Sequence, residues 1–155
     1  LSGSTEEPFP WSNVWLGISC EDQQTADERI PLLLQTPAAV RFISAEPLLG
    51  PIDLGRGNPL WLPSIGQAQG PAPTLNWVIV GGESGPGARV CHLNWIRSIR
   101  DQCKVAGVPC FIKQLGAVVG YDRAESIGYL KDRKGGDWNE WPEDLRVREF
   151  PRVPT

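Results

Sequence analysis

"NWVIVGGESGPGARVCHLNWIRSIRDQCKVAGVPCFIKQ", residues 76 to 114, holds a complete strand–helix–strand unit. Its first part, Asn76 to Gly82, is a short run of Trp, Val and Ile that ends in two glycines, the pattern of a strand buried on both faces. From His92 onward Leu93, Ile96, Ile99, Cys103 and Ala106 recur at helical spacing, and Gly107 stands where a C-terminal cap belongs. Pro109 to Gln114 is short and apolar again. Strand, helix and strand in that order predict a βαβ unit, which lays its strands parallel and joins them by a right-handed crossover.

The same rhythm precedes it. "NVWLGIS" (13 to 19) and "AVRFISA" (39 to 45) read as two further buried strands. Between them "EDQQTADERIPLLLQTP" offers Asp22 and Thr25 as caps and Ile30, Leu33 and Leu34 on one face, with Thr36-Pro37 as the stop. Pro31 either kinks this helix or opens a second part of it. The fold class is therefore α/β, with about four mainly parallel strands and flanking helices. Residues 47 to 75 break the rhythm, because Pro and Gly are too dense there for a long helix. A connection of that length covers a site or moves. From Tyr121 to Thr155 the chain reads as an irregular C-terminal extension, with a Gly135-Gly136 turn signal and two Trp that suit a small hairpin or cover.

Apolar residues make up 41% and charged residues 21% of the 155, a globular composition, and no apolar run nears the ~20 residues of a membrane-spanning helix. A net charge of −3 with interspersed signs carries no footprint of a nucleic-acid or anionic-membrane binder. The alternating signs of 131 to 149 read as a solvated face. Cys20, Cys91, Cys103 and Cys110 form no C-x-x-C pair, so reduced packing thiols are expected, with Cys20 set apart by its place at a strand end beside acidic residues. The absence of Met and the start at Leu1 suggest a piece of a longer chain.

The strand ends repeat one another. "GISCE" ends in Glu21, "FISAE" in Glu46 and "IVGGE" in Glu83, while the fourth strand ends in Lys113-Gln114. Parallel strands put all these ends on one rim, where α/β proteins build ligand sites. Gly81 and Gly82 clear space where the chain turns or a ligand meets backbone. "GGESGPG" is neither a Walker A loop nor a dinucleotide fingerprint. Each residue also has a structural reading: a glutamate that favours a helix start, Lys113 as its ion-pair partner, His92 as a helix-start residue, and Trp15, Trp77 and Trp95 as packing.

"SAEPLLGP" and "WVIVGGESGPGAR" are the most specific words of a wider resemblance. With the two helical units and "KDRKGGDWNEWPEDLRVREFP", they make nearly the whole chain similar to the C-terminal half of the phage gp-thirty-seven/sixty-eight family of uncharacterised proteins, which itself resembles divergent radical S-adenosylmethionine barrels. The resemblance implies that residues 1 to 120 are half of a (β/α) barrel and that 121 to 155 pack on it. It implies a bacterial cytoplasmic setting, in host or phage. Ser19, Ser44, Gly81, Gly82, Glu83 and Ser84 would then contact S-adenosylmethionine, and Glu46, Glu83 and Lys113 are catalytic candidates. It further implies an iron–sulfur cluster that only a longer parent would hold, since no cysteine triad occurs here. The expected partners are the missing N-terminal half of the barrel, or a self-associated copy, and a small-molecule ligand. Two rival readings remain at this level: a non-enzymatic module that recognises a nucleotide or host protein through the rim, and a hydrolase with Glu46 and Glu83 as acid and base.

Overall fold

The computed structural model describes residues 9–55, 61–62, 74–121 and 127–152. The expected strands form close to their anticipated bounds: β1 (Trp15–Ser19), β2 (Val40–Ala45), β3 (Trp77–Gly81) and, after one short strand, β5 (Cys110–Gln114). They make one parallel sheet in the order β1-β2-β3-β5, each strand added beside the last, and the sheet does not close into a barrel.

Helix α1 (Gln23–Gln35) starts on Asp22, whose carboxylate accepts from the Thr25 amide at 2.9 Å while Thr25 Oγ1 accepts from the Asp22 amide at 3.1 Å. This reciprocal cap satisfies amides that the first turn leaves without partners. Pro31 lies within α1 and divides it into no separate part. Helix α2 (Leu93–Ala106) ends on Gly107 at φ 68°, a left-handed cap as expected.

Strand alternation divides the sheet into two faces. Ile43, Ala45, Val78, Val80, Cys110 and Ile112 point to one, and they form one core with Ala26, Ile30, Leu33 and Leu34 of α1 and Leu93, Ile96, Ile99 and Cys103 of α2. The opposite face starts, at the N-terminal ends of the strands, with a ring cluster in which Trp77 touches Trp15, Phe42, Phe111 and Phe150. Farther along this face come Ser19, Ser44 and Ile79, register neighbours on three strands, and then the strand-end residues.

The described parts of 47 to 75 supply Leu48, Ile52, Leu54, Trp61, Leu62 and Leu75 to the core, and the rest of that segment lies outside the described residues. A second sheet was not anticipated. Its strands β4 (Cys91–His92) and β6 (Val118–Gly120) pair parallel, and β6 pairs antiparallel with β7 (Ile127–Tyr129). The chain end then returns along β5: the Ile112 amide donates to Val147 O at 2.9 Å and the Glu149 amide to Cys110 O at 2.9 Å. Trp141 is buried and its Nε1 donates to Gly135 O at 2.8 Å, so the Gly135-Gly136 signal marks a docking point of the tail.

Candidate functional site

Each of the three strand-end glutamates takes a different cation. Glu21 pairs with Arg29 of α1 at 3.1 Å, and the same guanidinium donates to Ser19 O at 2.8 Å. This is a clasp between the end of β1 and its own helix. Glu83 accepts from Arg89 Nε at 2.8 Å, Arg89 Nη2 at 2.9 Å and the Arg89 amide at 2.8 Å, so it closes the loop 83–89 on itself. That guanidinium holds the Glu83 carboxyl down at about 2. A carboxylate kept ionised this firmly suits a loop brace better than a general acid.

Glu46 differs because its partners come from across the sheet. Lys113 Nζ donates to Glu46 Oε1 at 2.9 Å and to Oε2 at 3.1 Å, and Gln114 Nε2 donates to Oε1 at 3.2 Å. The end of β2 thus meets the end of β5 over the end of β3, and β3 presents Gly81 at the crossing. A Cβ on Gly81 would lie 3.1 Å from Glu46 Cδ and 3.3 Å from Gln114 Cγ. The glutamate side chain is 16% exposed, against 54% for Lys113. The pair is half-lined by protein and open on the lysine side.

The structure therefore brings together Glu46, Gly81 and Lys113, with Ser44 one step down the same face and Ser19 its register partner on β1. Gly82 is buried against the backbone of Leu115 and Gly116, and its carbonyl accepts from Gln114 Nε2 at 2.9 Å. Glu83 lies beyond it in the braced loop with exposed Ser84.

Sequence reasoning assigned no role to Gln114, although the Lys113-Gln114 ending was visible. It missed Arg148 altogether. That guanidinium lies 5.4 Å from the Phe111 ring centroid and 5.0 Å from that of Trp138, and its Nη2 donates to Lys113 O at 3.1 Å. Only the antiparallel bridge between Phe111 and Arg148 reveals this neighbourhood.

The cysteines build no centre. All four are free and buried, and burial pushes the Cys20 and Cys91 thiols up to about 12. Among the described residues no cluster of three or more His, Cys, Asp or Glu is arranged to hold a metal ion, so these residues do not fit an iron–sulfur cluster. No described helix is long and apolar enough to cross a membrane.

No curated protein and no solved structure matches the chain. One family model, described as "Protein of unknown function (DUF5131)", matches residues 2–142. With most of its length covered by that model, the chain belongs to the DUF5131 family.

Proposed function

We propose that this chain is the ligand-binding half of a radical S-adenosylmethionine-like barrel of phage type, working in a bacterial cytoplasm, with the Glu46–Gly81–Lys113 crossing as the seat of the adenosylmethionine amino-acid head. The supporting observation is the ion pair that spans three strand ends. A zwitterionic ligand is the natural guest of such a pair. Its ammonium replaces Lys113 against Glu46, and its carboxylate takes the freed ammonium of Lys113. Gln114 stays on Glu46 Oε1 and holds the carboxylate in place during the exchange. Ser44 and Ser19, on the same face, offer hydroxyls to a ribose. Gly81, without a Cβ, keeps the crossing clear, and exposed Ser84 stands in the loop beyond it, while Gly82 serves the close approach of the Leu115–Gly116 backbone.

The residues here do not fit the cluster, so no chemical step runs through it. On this reading the cluster, and the strands that continue the sheet, belong to a longer parent chain or to an associated copy. The edge of β1 supports such an association: at the end of the sheet order and unpaired among the described residues, it is flanked by exposed Phe9, Trp11 and Val14, which line an apolar cavity of about 140 Å³ with Leu16 and Pro37.

Equilibrium dialysis against labelled S-adenosylmethionine tests the assignment. Saturable binding that weakens roughly 10- to 100-fold in both Glu46→Gln and Lys113→Met is expected, since each removes one charge-assisted contact. The proposal fails if binding is absent, or if it is indifferent to both substitutions in folded protein.

A further inference from the structure

Cys103 and Cys110 build no metal centre, yet the fold brings these two thiols face to face. Cys103 lies in the last turn of α2, and Cys110 opens β5. Between them α2 stops at Gly107, whose left-handed backbone turns the chain back, and the Val108 amide donates to Cys103 O at 3.0 Å. The chain thus returns past the turn it has just left. Cys110 enters the sheet as the register partner of Val78 on β3, with its side chain in the core that α2 covers. There a hydrogen bond joins the two thiols. Cys20 and Cys91, equally buried, have no thiol beside them among the described residues.

Both cysteines line one cavity of about 770 Å³, together with Arg100, Lys104, Pro109, Glu149 and Phe150. Lys104, Glu149 and Phe150 are exposed, so the cavity opens to solvent. Its thiols are less accessible, Cys103 at 0% and Cys110 at 2% exposure, which admits only a small reagent. The hydrogen bond to Cys110, with burial behind it, pushes the Cys103 thiol well above its ordinary range. Cys103 therefore keeps its proton and is the donor of the pair, and Cys110 Sγ is the acceptor. Glu149 Oε2 accepts from the Cys110 amide at 3.1 Å and fixes the backbone under that sulfur.

From this juxtaposition we infer that Cys103 and Cys110 are a modification site, a dithiol that a hydroperoxide oxidises to an intramolecular disulfide, with Cys110 reacting first and Cys103 resolving. Cys110 sulfur attacks one peroxide oxygen; the O–O bond breaks, the Cys110 proton leaves with the departing oxygen as water or alcohol, and a sulfenic acid remains. Cys103 sulfur then attacks Cys110 sulfur, the S–O bond breaks, and the hydroxyl leaves as water with the Cys103 proton. The two thiols lose two electrons and the peroxide gains them. Thiols already in hydrogen-bond contact need only small side-chain rotations to reach the roughly 2 Å of a disulfide bond. In a reducing compartment the dithiol is the resting form and the disulfide a reversible one, tying the end of α2 to the start of β5. The site lies at the opposite end of β5 from Lys113, and it shares no residue with the adenosylmethionine test.

The test is peptide mapping of the whole, folded chain after treatment with hydrogen peroxide, with the remaining thiols alkylated under denaturing conditions. Two of the four thiols should disappear together, in a single disulfide-linked peptide pair that holds Cys103 and Cys110, and dithiothreitol should restore both. Cys20 and Cys91 should stay alkylatable throughout. In Cys103→Ala, where nothing resolves the intermediate, dimedone should label Cys110 as the sulfenic acid. The parent protein decides the matter by itself, so a variant that folds poorly does not weaken the test. Four thiols that survive peroxide in the folded parent overturn the inference. So does a disulfide that joins another pair or two chains, or oxidation of Cys110 to the sulfinic acid with Cys103 left as a thiol.

Discussion

Replacing Gly81 and Gly82 by alanine, one at a time, should separate site from scaffold. A Cβ on Gly82 would lie 2.7 Å from the Leu115 carbonyl carbon and 2.8 Å from Gly116 Cα, and it would also clash with the Leu115 oxygen. Those are backbone atoms of a segment tied down by the Leu115 amide on Gly135 O at 2.9 Å and the Ala117 amide on Glu83 O at 2.9 Å. Neither side can yield cheaply, so Gly82→Ala should cost about 3 kcal/mol, at the upper end for overpacking. For a chain of this size that lowers Tm by roughly 6–12 °C. Gly81→Ala meets side chains instead, with Glu46 Cδ at 3.1 Å and Gln114 Cγ at 3.3 Å, and these move by a few tenths of an ångström. Its stability cost should stay near or below about 1 kcal/mol. The displaced Glu46 carboxylate should nonetheless weaken ligand binding at the rim by about 10-fold. Urea unfolding followed by tryptophan fluorescence measures the first pair of values, provided the slope with denaturant is unchanged. Equal destabilisation by the two alanines, or a Gly82→Ala protein within about 1 kcal/mol of the parent, would refute the close-approach argument.

Two further outcomes concern the tail. Trp141→Phe should lose about 0.5–1.5 kcal/mol in the same urea assay, because Gly135 O gives up one of its two donors and keeps the Leu115 amide, and Trp141→Ala should lose about 3–5 kcal/mol. Asp144, which accepts from Arg97 and Arg100, is held at about 2, chiefly by Arg97. A carboxylate depressed in the folded state contributes stability above its unfolded value of about 3.9 and loses it as pH falls toward 2. Its side chain is 46% exposed, so screening limits the contribution to about 1 kcal/mol. Asp144→Asn should therefore shallow the acid limb of a stability–pH curve between about pH 4 and 2 and lower the neutral plateau, and an unchanged limb would contradict the assignment.

The four parallel strands and two helices were legible because each carries its signal locally. Val78 to Val80 announces a buried strand by composition, and Leu93, Ile96, Ile99 and Cys103 announce a helix by period. Strands β4, β6 and β7 are two or three residues long, shorter than any window in which alternation can be recognised. The Gly135-Gly136 pair was read as a turn signal, and the structure adds that Gly135 is where the tail docks on Trp141. The common rim of Glu46 and Lys113 followed from parallel topology, but their contact, and the part of Gln114 in it, required knowing that β3 lies between them with a glycine at the crossing.

By itself the sequence determined the fold class, the parallel direction of the strands and the end of the sheet at which polar residues gather, since hydrophobic period, caps and crossover handedness act over a few neighbouring residues. Only the tertiary structure decided which cation each glutamate takes, and that Asp132 and Glu140 accept from backbone amides of their own turn. The physical reason is that ion pairs and amide caps depend on distances of about 3 Å between groups as far apart in the chain as Glu46 and Lys113, and those distances exist only after the sheet has been assembled.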